Sequence, residues 1–189
     1  MLPRAPRPWT WLRQVHGADV VVVTEPGQHA GAPADAAVTD RPGCALAVRT
    51  ADCAPVVLAG DGVVGLAHAG WRGVAAGVLE STVAALRDLA PGPLVAHLGP
   101  CIRPGCYEFD GLERDELAAR LGPAVAATTS WGTPALDVPA AVRAVLAELD
   151  VPVRSDVDAG CTACDDRWFS HRATGDARRF ATVAWLEPA

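Results

Sequence analysis

Short apolar runs alternate along the first third of the chain with clusters of Gly, Pro and Asp, a rhythm that predicts short strands joined by tight turns. Val20-Val21-Val22-Val23 is β-branched throughout and closes on Glu25-Pro26-Gly27, so it reads as a strand. Ala36-Ala37-Val38-Thr39 and Cys44-Ala45-Leu46-Ala47-Val48-Arg49 read as two more, with Asp40-Arg41-Pro42-Gly43 as the turn between them. Val56-Val57-Leu58-Ala59 then returns through Gly60-Asp61-Gly62 into Val63-Val64-Gly65-Leu66-Ala67. Turns this short demand largely antiparallel neighbours, and a hairpin brings its outer ends together. Cys53, ahead of one strand, and His68, at the end of the next, therefore reach the same sheet edge.

A helical period takes over at residue 74. Val74, Val78, Leu79, Val83 and Leu86 fall on one stripe, predicting a helix over 74–89 that Pro91-Gly92-Pro93 stops. A strand over 94–99, an irregular stretch over 100–109 and a helix over 112–121 follow. A second helix over 138–149 opens on Asp137 as N-cap, with Pro139 in its first turn. The pattern ends in a strand over 151–157, a polar loop over 158–170 and a strand over 180–185. Strands grouped early with helices inserted later predict a single α/β (α+β) domain, a layered mixed β-sheet flanked by helices. Residues 1–10 read as a Pro/Arg-rich leader and 11–189 as the domain.

Composition narrows the chemistry. Half of the 189 residues are apolar, enough for one core. The net charge of −6, with all sixteen cations Arg and scattered, argues against nucleic acid as main partner. The absence of Lys excludes a Schiff-base enzyme or a Walker-type phosphate lysine, and the absence of Asn excludes a Cys-His-Asn triad. With no run of signal-peptide or membrane-spanning length, a soluble cytoplasmic protein is the expectation, one whose six Cys serve as ligands, reactive thiols or small core residues.

The joint Gly65-Leu66-Ala67-His68-Ala69-Gly70-Trp71-Arg72-Gly73 hands a strand to a helix through a Gly-rich corner holding one His and one Arg. His16 precedes a buried strand. Two imidazoles and a thiolate, His16, Cys53 and His68, suit a borderline-soft ion such as zinc and leave a fourth position open. Two alternatives stand beside this trio. Cys161-Thr162-Ala163-Cys164 with Cys101 and Cys106 is a competing thiolate site, and Cys53 or Cys106 with His68 as base is a Cys-His hydrolase. Asp52 orients an imidazole, transfers protons as a general base or caps the turn before Pro55. Arg49, Arg72 and Arg172 are the candidate anion holders. His97 reads as a core histidine and His29 as a loop residue.

Gln14-Val15-His16-Gly17, Ala51-Asp52-Cys53-Ala54-Pro55, Ala67-His68-Ala69-Gly70-Trp71-Arg72-Gly73, Gly99-Pro100-Cys101-Ile102, Cys106-Tyr107-Glu108 and Phe169-Ser170-His171-Arg172 occur in this order. Together they resemble the laccase-domain, or polyphenol oxidase, family, also called peptidoglycan editing factors and purine nucleoside phosphorylases. The resemblance implies a catalytic zinc on His16, Cys53 and His68. It also implies a layered α/β fold related to a toxin deamidase, phosphorolysis of adenosine, inosine and methylthioadenosine, and adenosine deamination in the same pocket. Nucleosides and phosphate are the implied partners. Family members usually carry a further segment ahead of the first block, so the chain is expected either to begin late or to lack part of its rim. Val142 stands where the family commonly has Asn. The alternatives are a copper-dependent phenol oxidase, weakened by a total of five His, and a metal-holding remnant with little activity.

Overall fold

The computed structural model describes residues 4–156 and 160–187. The first three residues of the expected leader, Val157 and the start of the loop expected over 158–170 lie outside them. Strands β1 (Trp9–Trp11), β2 (Val20–Val22), β3 (Ala36–Thr39), β4 (Ala45–Thr50), β5 (Ala54–Gly60) and β6 (Val63–Ala69) come first. Helices α1 (Trp71–Ala76) and α2 (Val78–Leu89), strand β7 (Val95–Leu98) and helix α3 (Leu112–Leu121) follow. Strands β8 (Ala126–Thr128) and β9 (Pro134–Leu136), helix α4 (Val138–Glu148), strand β10 (Val153–Asp156), helix α5 (His171–Thr174) and strand β11 (Phe180–Ala184) complete the order.

The main sheet has six strands in the order β10-β7-β5-β6-β3-β2, parallel at its two edges and antiparallel within. A three-stranded sheet, β1-β4-β11, covers one face, and the helices cover the other. Strand β6 shows how the sequence produces these layers. All seven of its residues are buried, because alternate side chains serve two cores. Val63, Ala67 and Ala69 pack with the helices, while Val64 and Leu66 pack with Leu46 and Val48 of β4. Gly65 lets α2 close on the sheet, since a β carbon there would lie 3.0 Å from Leu86 Cδ1 and 3.1 Å from Val38 Cγ1.

The mixed-sheet single domain and the β5–β6 hairpin are as expected, with Ala54 opposite Ala69 and Pro55 opposite His68. Three features differ. Strands β3 and β4 are not partners: β4 crosses to the second sheet, where it pairs with β1 and β11 and turns Leu46 and Val48 onto the main sheet. The first of those partners starts at Trp9, inside the stretch read as a leader, with Thr10 fully buried. The helix expected over 74–89 is two helices, because Gly77 at φ 94° ends α1 in the left-handed conformation and starts α2. Helix α4 begins as expected, with Asp137 accepting from the Ala140 N–H at 2.8 Å, and Val142 is fully buried in the core. Among the described residues no helix is long and apolar enough to cross a membrane.

Candidate metal centre

The site is assembled around a carboxylate one residue ahead of β3. Asp35 is fully buried and accepts the backbone N–H groups of Val15, His16 and Gly17 at 3.0, 3.0 and 2.8 Å. That grip holds the loop in which His16 takes a left-handed φ of 60°. The same carboxylate lies 2.8 Å from Nδ1 of His68, and the Asp35 carbonyl accepts the His68 N–H at 2.7 Å. An acceptor on Nδ1 fixes a proton there and turns Nε2 toward Cys53 as the ligand atom, which a metal would bind in place of a proton. Cys53 arrives from the turn before β5, its Sγ 3.9 Å from His16 Nε2. The two imidazoles meet edge to face at 4.8 Å, and the ligand atoms of the trio all lie within 4.8 Å of one another. Gly70 makes this crowding possible: a β carbon there would sit 2.9 Å from Cys53 Sγ and 3.1 Å from His16 Cδ2.

Electrostatics match the geometry. Burial pushes the Cys53 thiol up, but hydrogen bonding to His16 and His68 and their charges outweigh it and bring the thiol down to about 6. Burial disfavours the charged form of His68, yet its bonds to Asp35 and Cys53 raise it to about 9. Asp35 is held below the usual carboxylate range, because the His68 bond and three N–H donors overcome its burial. Two nitrogens and a readily ionised sulfur fit a borderline-soft divalent ion, and the carboxylate behind His68 is the partner that ligating imidazoles use.

The trio opens into a cleft of about 900 Å³ whose wall includes Arg13, Arg49, Arg72, Arg172 and Arg179 and the rings of Trp71, Tyr107 and Phe109. All three expected anion holders are therefore present. Arg72 lies over the Trp71 ring at 4.5 Å. Arg172 lies over Tyr107 at 4.7 Å and donates to the Glu108 carbonyl at 2.9 Å. Arg49 is held through its backbone, whose N–H and C=O pair with the Gln14 side-chain amide at 2.9 and 2.8 Å. Asp52 is nearly buried at a strained φ of 88° and has both carboxylate oxygens engaged, by the Thr162 hydroxyl and the Arg172 N–H, each at 2.8 Å. It ties the cleft wall together.

Sequence reasoning missed Asp35, whose only local signal is a carboxylate set directly before an apolar strand. The rival cysteine set converges in part: Cys106, Cys161 and Cys164 cluster, while Cys101 lies in the core with its thiol pushed up to about 12 by burial. His97, on β7 beside Val57, lines a separate depression with Trp185, and His29 is exposed on its loop.

Known proteins carry the same arrangement of chain. The chain is 46% identical over 183 residues to "Purine nucleoside phosphorylase ORF3" of Streptomyces griseus, covering 94% of this chain and 74% of that one. It is 39% identical over 189 residues to "Purine nucleoside phosphorylase YfiH" of Escherichia coli, covering 98% and 75%. Among solved structures, Neisseria meningitidis protein NMB0706 superposes with a TM-score of 0.80 at 32% identity, over 96% of this chain and 76% of that chain. YlmD from Geobacillus stearothermophilus superposes with a TM-score of 0.77, also at 32% identity, over 95% and 74%. The profile of the family described as multi-copper polyphenol oxidoreductase laccase matches residues 2–187, and to that family this chain belongs.

Proposed function

We propose that the chain is a zinc-dependent purine nucleoside phosphorylase acting on adenosine, inosine and methylthioadenosine, with adenosine deamination in the same cleft. One juxtaposition carries the reading: a His-His-Cys trio, five arginines and three aromatic rings share a single cleft. The names of the relatives support the choice of purine nucleosides. Phosphorolysis joins a phosphate oxygen to the anomeric carbon as the glycosidic bond breaks and the base departs with a proton. Arg49, Arg72 and Arg172 hold the phosphate, since guanidinium matches its oxygens bidentately. Trp71, Tyr107 and Phe109 offer faces on which a purine stacks. His16, Cys53 and His68 hold the zinc, which when bound supplies Lewis acidity. Asp35 fixes the Nδ1 proton of His68. Asp52 acts as a positioning residue, holding the Arg172 backbone. Six free thiols support a reducing, cytoplasmic setting.

The zinc-loaded chain, given adenosine or inosine, should release the free base and ribose 1-phosphate only when phosphate is present, and should convert adenosine to inosine without it. His68→Ala should depress both activities by about 100-fold or more. Absence of phosphate-dependent base release from zinc-loaded protein would reject the reading. A copper-dependent phenol oxidase is the second reading, favoured by the His₂Cys donor set that electron-transfer copper also uses. It calls for more histidine ligands than a chain with five His, two of them outside the cleft, provides. Phenol oxidation by copper-loaded protein that leaves nucleosides intact would favour it.

A further inference from the structure

Outside the cleft machinery, a second group of soft ligands comes together. Cys106 ends the turn Pro104–Cys106, and Cys161 and Cys164 lie 55 and 58 residues further on in the chain, yet the three sulfurs are within 4.8 Å of one another. Cys106 and Cys164 approach to 2.9 Å. Cys161 and Cys164 sit on one turn closed by the Cys164 N–H on the Cys161 carbonyl at 3.0 Å, the Cys-x-x-Cys spacing that offers two thiolates to one ion. Cys161 Sγ also accepts the Arg103 N–H at 3.3 Å, the kind of backbone bond that steadies a ligating thiolate. The group is built into the fold, because Cys161 bridges Cys101 and the Thr162 N–H donates to the Cys101 carbonyl at 3.2 Å.

We propose that Cys106, Cys161 and Cys164 form a second metal site that takes one zinc ion through three thiolates. Zinc–sulfur bonds of about 2.3 Å in a tetrahedron set the sulfurs about 3.8 Å apart, wider than the 2.9 Å of the Cys106–Cys164 pair and inside the 4.8 Å that bounds all three. Binding replaces the thiol protons with zinc–sulfur bonds and releases those protons to solvent. Cys164 is exposed, so the fourth position is open to water. The ion would pin the segment whose Thr162 hydroxyl holds Asp52, so it acts as a structural staple behind the cleft wall.

The full chain carrying Cys53→Ala and His68→Ala, with the first trio dismantled, isolates this site from the enzymatic reading. After dialysis against zinc it should retain about one equivalent, and its cobalt form should show sulfur-to-metal charge-transfer absorption. Adding Cys106→Ser or Cys164→Ser should remove most of both. Retention of no zinc by the Cys53→Ala, His68→Ala chain, or the same zinc with and without Cys106→Ser and Cys164→Ser, overturns the proposal. In the otherwise unaltered chain, zinc should slow alkylation of these three cysteines at least tenfold, and unchanged labelling overturns it equally. Recovery of the chain two hydrogens lighter, with a Cys106–Cys164 disulfide and no zinc uptake, would replace the metal site with a redox pair.

Discussion

Asp35 does two jobs with one carboxylate, holding the loop of His16 and the ring of His68. Asp35→Ala strands three part-buried N–H donors and a buried imidazole at once. It should cost about 3 kcal/mol or more in denaturant unfolding and weaken metal binding by about 10- to 100-fold in competition with a chelator. The Cys53–His68 pair makes a different prediction for the metal-free chain. His68, raised to about 9, adds stability that is full below its ordinary 6.5 and is lost as pH rises through 9. Cys53, lowered to about 6, adds stability that is full above its ordinary 9 and is lost as pH falls through 6. The two slopes oppose each other between them. Unfolding free energy should therefore show little dependence on this pair across that window, while alkylation of Cys53 persists down to about pH 6. His68→Ala should move that alkylation midpoint upward. The convergence of Cys53 and His68 was legible in the β5–β6 hairpin, whereas His16, in the loop between β1 and β2, was legible by its ligand type alone. Asp35 was not, since a buried carboxylate acquires its role from contacts 18 to 33 residues away that no local pattern encodes.

Elements were legible where local periodicity decided them and illegible where a distant partner did. The β5–β6 hairpin follows from two apolar runs and a Gly-Asp-Gly turn. Strand β4 looked like another member of that meander, but its sheet is defined by β1, only three residues long, and by β11, more than a hundred residues away. A three-residue strand shows too little alternation to be read. The same limit hid β8 and β9. Helix α2 meets the sheet at a position that tolerates no side chain. Gly65→Ala should cost about 1 to 3 kcal/mol in urea unfolding through contact with Leu86 and Val38, with the loss partly recovered by Leu86→Val.

At the scale of the molecule, a chain with a net charge of −6 sets five arginines against three carboxylates, Asp52, Asp110 and Glu113, on one cleft, so the balance of charge there runs against the global one. Arg72→Met and Arg172→Met should each raise the apparent phosphate constant by about tenfold with the metal content unchanged. Raising the salt concentration should weaken phosphate binding in the unaltered chain and do so less in either variant. The tie made by Asp52 spans the molecule as well, reaching Thr162 and Arg172 across 110 and 120 residues of sequence. A ribosome delivers Asp52 long before it delivers those partners, and β4 waits just as long for β11. The nascent chain therefore carries a half-built cleft through most of its synthesis, with Cys53 and the strand edge of β4 uncovered until residues 162–184 emerge.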